Sequence, residues 1–185
     1  HGTGIFPRWG VGWRLRHLGR LIAEINSRLY QTRIARGSGM ATTLALVRLW
    51  RDRALVAHVG DSRVYRWRQG HLQQLTTDHS LVAQLQQQGA LTAQQAQHSP
   101  QRHVITRALG AETTVQPTLQ SHPLQPGDLL LLCTDGLSGM INVQAISDSL
   151  DDAGQDCGMR VRNLIDLANE AGGQDNITVV VLAIS

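Results

Sequence analysis

Three aspartates stand where an apolar run gives way to a turn. Asp61 follows Ala54–Val59, Asp135 follows Leu129–Cys133, and Asp175 comes just before Ile177–Ile184, each with a glycine close by. If the three runs are strands of one fold, the carboxylates can converge at one sheet end, where they repel each other unless a cation lies between them. All-oxygen ligation selects Mg2+, Mn2+ or Ca2+ over zinc, which prefers His and Cys. The same residues also read as plain turn formers, because Asp bonds readily to its own neighbouring backbone. Spacing alone leaves both readings open.

Other chemistries lack their residues. The sequence has no GxSxG elbow and no HExxH, and His79 in TDHS reads as a loop residue rather than a zinc ligand. Cys133 and Cys157 are too few for a disulfide framework in 185 residues. Cys133 reads as a small buried hydrophobe, and the pair suits a reducing compartment, the cytoplasm.

The elements that must position these aspartates follow from periodicity. Leu15–Arg36 reads as a helix with Leu18, Leu21, Ile22, Ile25, Leu29 and Tyr30 on one stripe, ended by Gly37 and Gly39. Thr43–Trp50, Ala54–Val59, Val64–Trp67 and Leu72–Thr76, separated by turn signals, predict an antiparallel meander. Asp78 is expected to cap a short helix carrying Leu81, Val82 and Leu85, and Thr92 a second over Ala93–Gln97, with the glutamines between them on exposed faces. Val104–Leu109, Val115–Leu119, Leu129–Cys133 and a fully buried Ile177–Ile184 read as strands, and Asn142–Leu150 and Met159–Ala171 as helices. Strand groups with helices packed beside them indicate an α+β layered sandwich.

Composition narrows the classes further. Apolar residues are 42% and charged residues 17%, which is globular rather than disordered. No apolar run approaches the roughly 20 residues of a membrane span, so no membrane partner is expected. All 17 basic residues are Arg; thirteen lie at or before Arg68, where only Glu24, Asp52 and Asp61 oppose them. With no recognition motif beside them, these arginines read as one basic face of the fold, and no nucleic-acid partner is expected.

Six strings in order carry a resemblance: GMATT (Gly39–Thr43), VGDSRVYR (Val59–Arg66), TTDHSLV (Thr76–Val82), VITRALG (Val104–Gly110), LLCTDGL (Leu131–Leu137) and GGQDNITVVV (Gly172–Val181). Together they resemble the bacterial protein phosphatase 2C-type, metal-dependent Ser/Thr phosphatases, from Leu15 to the C-terminus. The resemblance implies one domain over 1–185, a four-layer α-β-β-α sandwich of antiparallel sheets flanked by helices, and a flap at 84–102. It implies Asp135 and Asp175 as ligands of two Mn2+ or Mg2+ ions and Asp61 as ligand of a third, more loosely held one. Gly60 and Gly136 are expected where the backbone turns tightly near the ions, Arg63 as a loop-tying residue, and Asn176 as a residue orienting Asp175. The implied reaction is hydrolysis of phosphoserine and phosphothreonine in proteins, opposing a Ser/Thr kinase, with a metal-activated water as nucleophile and no catalytic side chain. The alternative is a phosphatase-like module that binds phosphoproteins without turnover.

Members of that family carry an Asn-Glu/Gln-Asp element and an Asp-Gly-Met-Gly-Gly element before the helix at Leu15. Neither occurs here; His1–Gly4 resembles the residues that come after the second element, Ile5–Arg14 matches no family string, and the N-terminal strands are expected to be missing. Two strand-end carboxylates cannot hold two divalent ions against their mutual repulsion. The 185-residue chain is therefore expected to hydrolyse p-nitrophenyl phosphate slowly even in millimolar Mn2+. Adding a segment with both motifs should restore turnover, read as nitrophenol release, and Asp135→Ala or Asp175→Ala should then abolish it.

Overall fold

In α1 (Trp9–Arg36) the buried line runs through Leu18, Ile22 and Asn26 with Leu29 beside it, one residue every turn. The expected stripe is therefore narrower than its apolar content: Leu21 and Ile25 are exposed, and a buried asparagine takes the place of Ile25. Asn26 Nδ2 donates to the carbonyls of Glu112 and Thr113, and its Oδ1 accepts the Gly110 amide at 2.9 Å. Tying a helix to a loop in this way satisfies backbone groups that burial would otherwise strand. The computed structural model describes residues 9–151 and 154–185, so His1–Gly4 and the first part of Ile5–Arg14 lie outside the described residues.

Among the described residues, seven strands form two antiparallel sheets. The first orders β1 (Leu44–Trp50), β2 (Arg53–Val59) and β5 (Thr118–Pro123); the second orders β4 (His71–Gln74), β3 (Arg63–Arg68), β6 (Leu129–Cys133) and β7 (Val179–Ala183). Period-2 alternation then sorts the side chains into layers. Ala54 and Val56 of β2, Val64 of β3 and Leu130 of β6 meet between the sheets. Ala57 and Val59 turn the other way, against Ile22 of α1. Tyr65, Leu131 and Cys133 pack beneath α5 (Val143–Asp151) and α6 (Cys157–Glu170) through Ile146, Leu150, Leu164 and Ala168. The order is helix, sheet, sheet, helix, the α+β four-layer sandwich expected.

Several elements differ from expectation. The meander does not run on: β1 and β2 form one hairpin, β3 and β4 another, and the chain changes sheets at Gly60–Ser62. β2 is buried at six of its seven positions, so it needs cover on both faces, and β3 supplies part of one by lying across the sandwich instead of beside it. Val104–Leu109 is a loop whose only bridges are Ser80 with Ile105 and Thr42 with Leu109, two separate partners rather than one strand. The strand expected at Val115–Leu119 begins later and ends on Pro123, tolerated because β5 pairs only with β2. β7 is an edge strand rather than a fully buried one, with Val180 exposed.

The short helices α2 (Leu81–Gln87) and α3 (Ala93–Gln97) come next along the chain. Ser80, not Asp78, caps α2, accepting the Ala83 amide, because the Asp78 carboxylate is already bound to Arg63. Thr92 caps α3 as expected, and the structure adds a reciprocal bond from the Thr92 amide to the Gln95 side chain.

At the far end of β6, Arg68 Nε and Nη2 each donate at 2.6 Å to Asp128, whose side chain is 1% exposed, and the Gln125 amide adds a third bond. Burial alone would raise the Asp128 pKa, but these hydrogen bonds outweigh it and hold it below the ordinary carboxylate value. The carboxylate thus contributes stability that is present above the ordinary carboxylate pKa and lost as pH falls through the lowered one. Asp128→Asn should lower unfolding free energy by about 1–3 kcal/mol at neutral pH, and urea titrations at successively lower pH should show the gap closing.

Candidate metal centre

Cys133 is the register point of the site. It pairs with Arg63 of β3 on one side and Val179 of β7 on the other. The residues just before β3, just after β6 and just before β7 therefore leave the sheet at one end. Those residues include Asp61, Asp135 and Asp175. β2 finishes there too, because Gly60–Ser62 is the link from β2 to β3.

The Asp61 turn is pinned from several directions. Gly60 has φ +100, and a Cβ there would lie 2.4 Å from Thr43 Cγ2, so only glycine lets the turn settle on β1's entrance. Thr43 Oγ1 and Ser62 Oγ are 2.8 Å apart and share a hydrogen bond. His79 donates its backbone N–H to the Gly60 carbonyl at 2.9 Å, and its Nδ1 accepts the Gly60 amide at 3.2 Å. Arg63 ties the following strand to Asp78: Nε donates at 3.0 and 3.1 Å, Nη2 at 2.7 Å, and Nη1 reaches the Tyr65 hydroxyl.

The Asp135 and Asp175 turns touch through their backbones. Asp135 opens a four-residue helix, α4 (Asp135–Ser138), behind Thr134. The Thr134 amide donates to the Thr178 carbonyl, while its hydroxyl accepts the Thr178 amide and donates to the Asn176 carbonyl at 3.2 Å. A Cβ on Gly136 would lie 2.3 Å from the Asn176 carbonyl oxygen and 3.3 Å from that of Asp175. Gly136 is therefore required for close approach of two loops, not for the tight turn expected of it; its φ is not among the positive ones. Asn176 takes part through its main chain, its amide donating to Asp175 Oδ1 at 2.7 Å.

Electrostatics joins Asp61 to Asp135. Half-burial pushes the Asp61 pKa up, and the nearby Asp135 charge pushes it further. A carboxylate whose ionisation is opposed by a second one at the same sheet end fits a hard divalent ion in kind. They do not enclose one: among the described residues no three His, Cys, Asp or Glu side chains surround a common point. Mg2+ and Mn2+ sites commonly use one or two carboxylates and fill the rest with water. Asp61 and Asp135 are the pair that would hold such an ion, and exposed Asp175 stands across the Gly136 contact.

Comparison with known proteins decides the family. The family model described as Protein phosphatase 2C matches residues 14–165. The chain belongs to the protein phosphatase 2C family. A putative protein phosphatase 2C-type of Streptococcus pyogenes is 41% identical over 150 residues, covering 78% of this chain. The chain spans 58% of that relative's length. The solved Streptococcus agalactiae serine/threonine phosphatase superposes with TM-score 0.85 at 37% identity, covering 90% of this chain and 69% of that one. A PstP catalytic domain in complex with two manganese ions superposes at 0.75 with 35% identity, covering 84% and 65%. This phosphatase 2C chain has no helix, among its described residues, long and apolar enough to cross a membrane.

Reading by sequence passed over Thr134 and the His58–His79 pair. Thr134 makes three bonds to the β7 entrance that arise only once β6 and β7 are paired. His58 sits mid-strand and is 1% exposed, with its Nε2 donating to the Thr77 carbonyl at 2.8 Å. Burial foremost holds its pKa down, against the raising effects of that bond and of Asp78. Gly136→Ala should destabilise the phosphatase 2C domain by about 1–3 kcal/mol, the usual cost of overpacking, in chemical denaturation. Gly39→Ala, where a Cβ meets nothing within 4 Å, should be close to neutral in the same measurement.

Proposed function

We propose that this protein hydrolyses phosphoserine and phosphothreonine in proteins with the help of divalent cations. The observation that carries the reading is the placement of Asp61 and Asp135 at one sheet end, where the charge of one raises the pKa of the other, in a chain of the phosphatase 2C family. Bound Mn2+ or Mg2+ supplies an acidified water and a positive field for the phosphoryl oxygens. The manganese pair in the PstP catalytic domain supports Mn2+ as the first ion to test.

The chain's own residues have defined tasks in this reading. Asp61, Asp135 and Asp175 hold cations; Gly60 and Gly136 let their loops approach; Arg63 and the Asn176 backbone keep the loops in place. The thiol nearest the rim, Cys133, is unsuited to attack phosphorus: it is buried, and burial pushes it up to about 12. The segment 84–102, which takes in the end of α2 and all of α3, follows the His79 turn in sequence and serves as a flap over bound phosphoprotein. The substrates are the products of a Ser/Thr kinase, and the compartment is the cytoplasm.

The test compares Mn2+ affinity by calorimetry with phosphate release from a phosphothreonine peptide. Asp135→Ala should weaken Mn2+ binding by more than about 100-fold, exceeding what the loss of a residue behind the ligands costs, and should lower the wild-type release rate in proportion. If the chain extended by a segment with both motifs binds the phosphopeptide with no Mn2+-dependent release, it is a binding module instead. Unchanged Mn2+ affinity in Asp135→Ala overturns the reading.

A further inference from the structure

His79 is 7% exposed, in a loop, with both ring nitrogens engaged. The Gly60 amide can only donate, so Nδ1, at 3.2 Å, must be the acceptor and carry no proton. Nε2 then carries the proton and donates it to Thr118 Oγ1 at 2.9 Å. Arg107 Nη1 lies 3.2 Å from that protonated nitrogen and directs a hydrogen to the Gln116 carbonyl. One ring face stacks on His58, centroids 4.5 Å apart and 19° from parallel. A ring held by Thr118 and stacked on His58 has little freedom to move, and its one acceptor is aimed at the peptide before Asp61.

From this geometry we infer that His79 is a positioning residue for Asp61, fixing the carboxylate's approach to a divalent ion by holding the Gly60 amide through Nδ1. The inference rests on Asp61 as a cation ligand. With the His79 backbone amide on the Gly60 carbonyl, one residue grips both polar groups of the glycine whose φ is +100. Gly60 can visit many conformations when free, so a grip on both groups restricts where Asp61 points. Burial first, then the neighbouring His58 and Arg107, keep the imidazole neutral, with its pKa down at about 4, so the acceptor persists across the physiological range.

A ring whose only role is packing would be replaced equally well by any side chain of similar bulk, and this separates the two roles. Asn at 79 can offer an acceptor where Nδ1 stands, whereas Gln places its amide where Nε2 stands. Mn2+ affinity, read by water-proton relaxation, should fall about tenfold or more in His79→Gln and by less than about threefold in His79→Asn. The Gly60 amide resonance should stay near its wild-type position in His79→Asn alone. Equal losses in the two variants, or no loss in His79→Gln, overturn the inference. If neither variant folds, long-range proton–nitrogen spectra of the wild type decide: an unprotonated Nδ1 supports the inference, and a protonated Nδ1 overturns it. Asp61→Asn separates the two readings. Unchanged Mn2+ affinity there removes Asp61 as a ligand, while the Gly60 resonance still reports whether His79 holds the turn.

Discussion

Antiparallel register at Cys133 is the constraint on which the acidic end depends. With Arg63 opposite on one side and Val179 on the other, the starts of β3 and β7 are level with the end of β6. A one-residue slip of β6 would turn Leu131 and Cys133 away from α5 and α6 and into the space between the sheets, and a slip of β3 would do the same to Tyr65. The buried faces therefore hold the register, and the register holds three aspartates at one rim. The attraction that builds the core also overcomes a repulsion: apolar burial brings like charges closer than they would come unaided.

Two glycines and a threonine convert that rough placement into contact. Gly60 lets a β2-to-β3 crossing rest on Thr43, and Gly136 lets one loop's backbone lie against another's carbonyl. Thr134 satisfies both the Thr178 amide and the Asn176 carbonyl that this approach leaves facing it. The same economy recurs on the opposite face of the sandwich, where Asn26 of α1 meets backbone groups of Gly110, Glu112 and Thr113. In each case a short polar side chain answers main-chain groups that neither helix nor sheet can reach.

Local signals were legible wherever one residue's environment is set by its own neighbours in sequence. β6, the Thr92 cap and the Gly37 helix end follow from runs and caps alone. Pairing is different, because it depends on which face each strand finds covered. The apolar residues of Val104–Leu109 satisfy strand periodicity, yet they divide between Ser80 and Thr42 and make no ladder. Ile25 and Asn26 sit side by side in α1, and hydrophobicity favours the first; the loop carbonyls that need a donor select the second. At the site, the three aspartates, Gly60, Gly136, Arg63 and Asn176 could be named from sequence, but three further residues that hold the turns could not. His79, Thr43 and Thr134 act across distances of 19 to 44 positions, and nothing in their immediate surroundings marks the partner.

The change of sheets at Gly60–Ser62 has a bearing on how this chain acquires its shape. One sheet takes residues 44–59 and then 118–123, while the other takes 63–74, 129–133 and 179–183, so neither is a continuous length of polypeptide. Neither sheet can be finished before the other is well advanced, and no single cleavage releases one of them whole. Such interleaving makes folding and unfolding one cooperative event rather than two, and it places the chain among slow folders, since distant segments must be closed into loops before their contacts can repay the lost entropy. The acidic rim draws on residues as far apart as 61 and 175, so it exists only where those distant pairings have been made.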